Sequence, residues 1–101
     1  MLERIGMPHE VAMRHRLPHF EHLFATESYS AGYYSYLWSD VMAADTWQAF
    51  LEAGGPWDKA VAARLRKYIL AEGNATDRAE AYRRFRGRNP DVKALFEERG
   101  F

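Results

Sequence analysis

The feature that most constrains this fold is a proline-free segment from about Ser30 to Ala53, closed by Gly54, Gly55 and Pro56. A glycine just past the last helical residue, followed by a proline, is the usual end signal of a helix. We therefore predict one long helix over this segment. Its apolar residues form three stripes at helical spacing: Tyr33, Leu37, Val41 and Ala44; Tyr36, Ala43, Trp47 and Phe50; and Tyr34, Trp38 and Met42.

A helix that is apolar on all sides is normally buried in the core of something large. A chain of 101 residues arranged in about five helices is too short to enclose this helix completely. We infer that the long helix has neighbours outside this chain. They are either other chains in an oligomer or the rest of a longer polypeptide.

The rest of the sequence is also helical in pattern, because no stretch alternates with period two over the length of a strand. We predict an all-α fold in a single domain, residues 1–101, with about five helices and the long helix central and buried. The remaining helices are predicted from their spacing and end signals at residues 10–15 and 57–71, from Asp77 as N-cap to Gly87, and from Asn89 as N-cap through Phe96. Residues 19–24 could form another helical turn or two.

The charge balance excludes several partners. The 14 basic and 14 acidic side chains cancel, so the chain has no field that would draw it to nucleic acid or to an anionic membrane. Its apolar runs are far shorter than the ~20 residues of a membrane span, and its start lacks the apolar core of a secretory signal. We therefore predict no nucleic-acid partner, no membrane partner and a cytoplasmic location.

Metal binding by this chain would need histidine and carboxylate ligands, because the sequence has no cysteine. His9 and Glu10 begin like the zinc signature H-E-x-x-H, but the second histidine position is occupied by Met13. His15, His19 and His22 have the spacing of one helix face, yet the intervening Pro18 interrupts such a helix. A small metal protein based on these three histidines stays a weaker alternative, against polar residues that line a surface or cleft.

Several tyrosines follow a polar loop. If a helix begins near Tyr29, then Tyr29, Tyr33 and Tyr36 share one face, with His22 nearby in sequence. Phenol hydroxyls in such a row could donate hydrogen bonds to a developing oxyanion. They could equally be core residues whose hydroxyls have ordinary partners. The spacing alone leaves both interpretations open.

An arginine cluster surrounds Phe85 and consists of Arg83, Arg84, Arg86 and Arg88. Cations are favourable near a helix C-terminus, so we predict a solvated helix end, with a phosphate-binding site as the alternative. The sequence holds no P-loop, nucleotide-binding fingerprint or nucleophile elbow. It therefore contains no complete catalytic machinery.

Two runs, HFEHLF at residues 19–24 and YSAGYYSYLWSD at residues 29–40, resemble the C-terminal part of the thimet-oligopeptidase-like zinc peptidases. The nearest branch is that of the bacterial peptidyl-dipeptidases, or dipeptidyl carboxypeptidases, and oligopeptidase A. MRHR at 13–16, AAD at 43–45, FRGR at 85–88 and RGF at 99–101 follow the family's ending in order. The resemblance implies the C-terminal helical part of a thimet oligopeptidase/neurolysin-like fold.

The resemblance also implies site residues and a cofactor. In that family zinc is held by H-E-x-x-H and a downstream glutamate, all upstream of the matching region, so this segment is expected to bind no metal or other cofactor. By resemblance, Tyr36 and His22 are catalytic, Tyr36 as the oxyanion donor, and His22, Tyr29 and Tyr33 bind an oligopeptide substrate. The family often has glycines before the tyrosine matching Tyr29, whereas residues 25–28 here are ATES, which reduces the backbone freedom of the loop.

The two lines of argument combine. The missing neighbours of the long helix are expected to be the zinc-bearing helices of a complete peptidase, and the segment alone is expected to be inactive. The alternative is a free-standing helical protein that binds a partner or self-associates through the long apolar helix.

Overall fold

A computed structural model describes residues 2–101, which fall into two compact units that meet in sequence between Tyr34 and Ser35. Within residues 2–101 all regular elements are helical and no strand occurs, so the predicted all-α class is confirmed. The five α-helices are α1, Glu21–Phe24; α2, Ser35–Glu52; α3, Lys59–Leu65; α4, Arg78–Arg86; and α5, Lys93–Glu98. Short 3-10 segments span Leu2–Ile5 and Leu17–His19, and a π-helical turn, Arg66–Leu70, continues α3. No helix in this range is long and apolar enough to cross a membrane.

The first unit contains the two 3-10 segments and α1. The helix predicted at residues 10–15 is wrong, because Glu10 lies in a turn, residues 11–13 have no regular structure and residues 14 and 15 form a bend. Starting a helix fixes several residues before hydrogen bonds compensate, so a six-residue helix needs an apolar face that packs. Val11 and Met13 are about half exposed and provide no such packing.

The core of the second unit joins α2 to the three helices that follow it, α3, α4 and α5. One buried cluster consists of Ala49, Val61, Tyr82 and Phe85, and the other of Val41, Ala44 and Leu95. The first connects α2 with α3 and α4, and the second connects α2 with α5. The buried residues of α2 are Val41, Ala44, Asp45 and Ala49.

Local capping explains where the later helices begin and end. Asp58 and Asp77 accept hydrogen bonds from the backbone N–H groups of Val61, at 2.7 Å, and Glu80, at 3.0 Å. The Asp77 N-cap is therefore confirmed. Gly87, with φ of 80°, ends α4 as predicted.

The N-cap predicted at Asn89 is wrong, because α5 begins four residues later, at Lys93. The Asn89 side-chain oxygen accepts instead from the Arg83 guanidinium, at 3.3 Å. Asp91 accepts from the backbone N–H of Lys93, at 2.9 Å, and so stabilises the entry to α5.

The long helix α2 begins at Ser35 rather than near Ser30. Residues 30–34 form turns, held by bonds such as the one from Gly32 N–H to the Tyr29 carbonyl, at 3.2 Å. Glycine weakens a helix, which favours these local turns over an extra helical turn. The predicted end is confirmed, since Gly54 and Gly55 have positive φ values just after the helix.

Within this chain α2 is buried on one face only, at Val41, Ala44, Asp45 and Ala49. Its other faces carry large apolar side chains that are about half exposed: Leu37, Trp38, Trp47 and Leu51. The expectation that the chain does not enclose its long helix is thus confirmed, and the predicted full burial is not reached with these residues alone.

Candidate functional site

An aromatic cluster in the first unit brings together three of the predicted site residues. His22 lies on α1, and Tyr29 and Tyr33 lie in the turns before α2. The imidazole centroid of His22 is 5.8 Å from the ring of Tyr29 and 5.5 Å from that of Tyr33, and the two phenol rings are 5.8 Å apart. Phe20 completes the cluster, with its ring 4.8 Å from that of Tyr33.

All three contacts among His22, Tyr29 and Tyr33 are edge-to-face, with interplanar angles of 63° to 71°. Such contacts are favourable and directional, so each ring restricts the orientation of the others. The two tyrosines meet through turns and not along a continuous helix, so the helical premise of their predicted row is wrong. The cluster places one imidazole and two phenols side by side, all able to exchange hydrogen bonds with a peptide backbone.

Tyr36, the predicted oxyanion donor, lies in the first turn of α2 and belongs to the second unit. Its side chain is 50% exposed. A phenol with this exposure can reach a bound molecule while its helix stays packed. The polar loop before the cluster, residues 25–28, leads into a turn in which the Ser30 hydroxyl donates to the Glu27 carbonyl at 3.0 Å.

The described residues, 2–101, offer no grouping of side chains suited to a zinc ion. In the part of the chain that the structure describes, no three histidine or carboxylate side chains are grouped so that they could hold a metal. His15, His19 and His22 lie in a bend, a 3-10 segment and α1 respectively, and Pro18 lies between the first two.

A second group of polar residues, which the sequence analysis did not anticipate, surrounds Asp45. Its carboxylate is 0% exposed and accepts hydrogen bonds from the Tyr82 hydroxyl at 2.8 Å and from Arg88 Nη1 at 3.0 Å. Arg86 Nε lies 3.4 Å from the same carboxylate and its two terminal nitrogens donate to Glu52 at 2.7 and 2.6 Å. We call these five residues the Asp45 cluster.

The Asp45 cluster keeps its carboxylates ionised. Burial alone raises the pKa of Asp45, but hydrogen bonds from Arg88 and Tyr82 and the nearby guanidinium charges outweigh it and hold the pKa below its ordinary value. The Arg86 hydrogen bond likewise lowers the pKa of Glu52. Burial, together with the bond to Asp45, raises the pKa of Tyr82 to about 12, so this phenol remains a donor.

The arginine-rich end of α4 is only partly the solvated surface that we predicted. Arg83 and Arg84 are nearly half exposed and pair with Glu80, at 3.1 Å each. Arg86 is only 9% exposed, so the prediction is wrong for this residue. The sequence feature that could have indicated the burial of Arg86 is Asp45, since a carboxylate on the inner side of an apolar helix needs buried partners.

The first unit thus holds a cluster of one imidazole and two phenols, and the long helix of the second unit carries exposed aromatic side chains. Residues 2–101 match Peptidase family M3, and the chain belongs to this family of metallopeptidases. It is 43% identical to oligopeptidase A of Salmonella typhimurium over 86 residues, 84% of this chain and 12% of that protein. It is 37% identical to dipeptidyl carboxypeptidase of Escherichia coli over 98 residues, 97% of this chain and 14% of that protein. The chain thus spans about one eighth of the length of these relatives.

Proposed function

We propose that this chain supplies the substrate-side part of the active site of a zinc metallopeptidase that cleaves oligopeptides, in the manner of a peptidyl-dipeptidase. The observation that carries the proposal is the aromatic cluster. It joins His22, Tyr29 and Tyr33, three residues that the family resemblance assigns to substrate, through mutual ring contacts of 5.5 to 5.8 Å. Membership in Peptidase family M3 over nearly the whole chain supports the same reading.

In this proposal each aromatic residue has a role that its chemistry permits. Tyr36 donates its phenol proton in a hydrogen bond to the oxyanion of the tetrahedral intermediate, and His22 stabilises the same intermediate. His22, Tyr29 and Tyr33 bind the peptide backbone. Loss of one oxyanion donor typically reduces the rate by ~10²–10³.

The zinc ion and the general base come from polypeptide outside this chain. The support is that the described residues offer no grouping suited to a metal and that the sequence has no H-E-x-x-H. The steps assigned to this segment, which are substrate binding and oxyanion stabilisation, require no metal ligand from it. The segment alone is therefore inactive.

The exposed apolar faces of α2 contact the zinc-bearing part of the enzyme in this proposal. Leu37, Trp38, Trp47 and Leu51 are too large and too exposed for a typical solvated helix, and the matched regions make up only 12% and 14% of two relatives of this chain. The competing proposal rests on the same surface. In it the chain is a free-standing helical module that self-associates through α2.

A chimera tests the first proposal. The chain replaces the matching 98-residue region of Escherichia coli dipeptidyl carboxypeptidase, and peptide cleavage is measured in the presence of zinc. We expect an active chimera whose kcat falls about 10²-fold or more with Tyr36→Phe. The matched control is Tyr34→Phe, a neighbouring and more exposed phenol with no assigned role.

Equal activity of the Tyr36→Phe and Tyr34→Phe chimeras would refute the oxyanion role. The isolated 101-residue chain is assayed in parallel for cleavage and for its molecular mass in solution. Cleavage by the chain alone would contradict the proposed division of the site. A discrete, stable oligomer of the chain, together with an inactive chimera, would favour the free-standing module.

A further inference from the structure

We propose that Asp45 is a positioning residue for Tyr36. By anchoring α2 to the end of α4, it fixes the rotation of α2 about its own axis, and with it the direction in which the Tyr36 hydroxyl points. This inference rests on the proposed function, in which Tyr36 stabilises the oxyanion. It adds to that function a residue that does not touch substrate.

The two residues lie on opposite sides of the same helix. They are nine positions apart, which at about 100° per residue is two full turns and a further half turn, and about 13.5 Å along the axis. Their exposures agree with this geometry, since Asp45 is 0% exposed and Tyr36 is 50% exposed. Fixing the inner side of α2 at Asp45 therefore orients the outer side at Tyr36.

Small rotations of α2 matter at the position of the phenol oxygen. A group roughly 8 Å from the helix axis moves more than about 1 Å when the helix turns by about 10°. A misplacement of this size at a reacting centre reduces a rate by up to about 10²-fold. The hydroxyl of Tyr36 is a group at this kind of distance from its helix axis.

The apolar side of α2 consists of Val41, Ala44 and Ala49, with the partly buried Met42 and Phe50 packed against the core, and such apolar contacts are not directional. The bonds to Asp45 are directional and come from separate positions. Tyr82 donates from α4 to one carboxylate oxygen, and Arg88 donates to both oxygens from the segment after α4. Donors from two positions fix both the place and the orientation of the carboxylate.

The remaining polar contact of α2 with the chain terminus does not replace this anchor. Asp40 accepts from Arg99 at 3.0 Å, but both side chains are about half exposed. Exposed ion pairs contribute little to stability because water competes for both charges. Glu52, in the last turn of α2, accepts from both terminal nitrogens of Arg86 at 2.7 and 2.6 Å, but its side chain is 50% exposed. The buried part of the polar anchor of α2 is therefore Asp45.

The test is a double-mutant cycle in the chimera described above. Asp45→Asn keeps the size of the side chain but removes its charge and weakens its bonds to Arg88. We expect this variant to lose about tenfold or more in kcat, with KM changed less than about twofold. We expect the double variant with Tyr36→Phe to be no slower than Tyr36→Phe alone, because both changes remove the same contribution. The control is Glu80→Gln, on the exposed side of α4, with activity unchanged.

Each outcome has one meaning. Independent losses that multiply in the double variant, or an unchanged kcat for Asp45→Asn, overturn the positioning role while leaving Tyr36 as oxyanion donor. No effect of Tyr36→Phe overturns the proposed function and this inference with it. If circular dichroism shows that Asp45→Asn does not fold, Tyr82→Phe takes its place, since this variant removes one hydrogen bond to Asp45 and keeps the ring. The same double-mutant cycle with Tyr36→Phe is then measured.

Discussion

The hydroxyl of Tyr82 donates a 2.8 Å hydrogen bond to the carboxylate of Asp45, and the two residues are 37 positions apart in the sequence. Both are almost completely inaccessible to water, at 1% and 0% exposure. A buried carboxylate without partners is very unfavourable, so this bond and the guanidinium groups of Arg86 and Arg88 are conditions for the folded state of the second unit.

Removal of the carboxylate is therefore expected to destabilise the chain. Asp45→Ala leaves the Tyr82 hydroxyl without its buried acceptor and removes the carboxylate to which Arg88 donates, which we expect to lower the free energy of unfolding by about 3 kcal/mol. Urea denaturation measures this change. Asp40→Ala, which removes only an exposed ion pair with Arg99, is the control and costs under about 1 kcal/mol. Equal losses in the two variants would contradict the structural importance of the Asp45 cluster.

Stability is expected to fall at alkaline pH because of Tyr82. Its pKa is about 12 in the folded chain against an ordinary value of 10.0, so between these values the unfolded chain releases a proton that the folded chain retains. Deprotonation then favours unfolding, and stability decreases as pH rises above 10. The comparison of the wild-type chain with Tyr82→Phe over this range isolates the effect, since the variant lacks this ionisation. Parallel pH profiles of the two proteins would show that Tyr82 does not cause the decrease.

Gly87 is expected to tolerate no side chain without loss. Its φ of 80° lies in the left-handed region, and the turn it forms leads directly to Arg88. Gly87→Ala meets no steric neighbour but strains the backbone, which we expect to cost about 1–2 kcal/mol. Gly32→Ala is the matched control, because Gly32 has no positive φ and an added methyl group would make an ordinary contact. Thermal unfolding of both variants checks the difference, and a loss confined to Gly32→Ala would refute it.

The aromatic cluster is expected to distinguish His22 from its neighbour His19. In the chimera, His22→Gln removes the imidazole that contacts Tyr29 and Tyr33. We expect kcat/KM to fall at least about tenfold, since in the proposed function this ring also stabilises the intermediate. His19→Gln changes an exposed histidine of the preceding 3-10 segment and leaves kcat/KM within about twofold of the parent. Steady-state kinetics on one oligopeptide measure both. Similar losses in the two variants would mean that the cluster is not a specific part of the site.

Most of the helices could be predicted from local signals. The Asp77 cap, the glycines after α2 and the absence of alternating strands depend only on neighbouring residues, whose preferences act before any tertiary contact forms. The residues of the candidate site could be predicted for a different reason, because the HFEHLF and YSAGYYSYLWSD runs carry a family resemblance. The ring contacts among His22, Tyr29 and Tyr33 could not be predicted, because they depend on turns at residues 30–34, where a helix was predicted.

Tertiary structure decided which side chains became partners. Helical periodicity shows that Asp45 shares a helix with many apolar residues, but it does not say which donors, 37 to 43 positions later, will surround it. The same holds for Arg86, which has the local features of a solvated helix end and is nevertheless buried between Asp45 and Glu52. Capping and periodicity are short-range and can be read along the chain. Burial and charge pairing arise only when α2 and α4 meet, because the desolvation of one carboxylate is then compensated by groups from distant parts of the sequence.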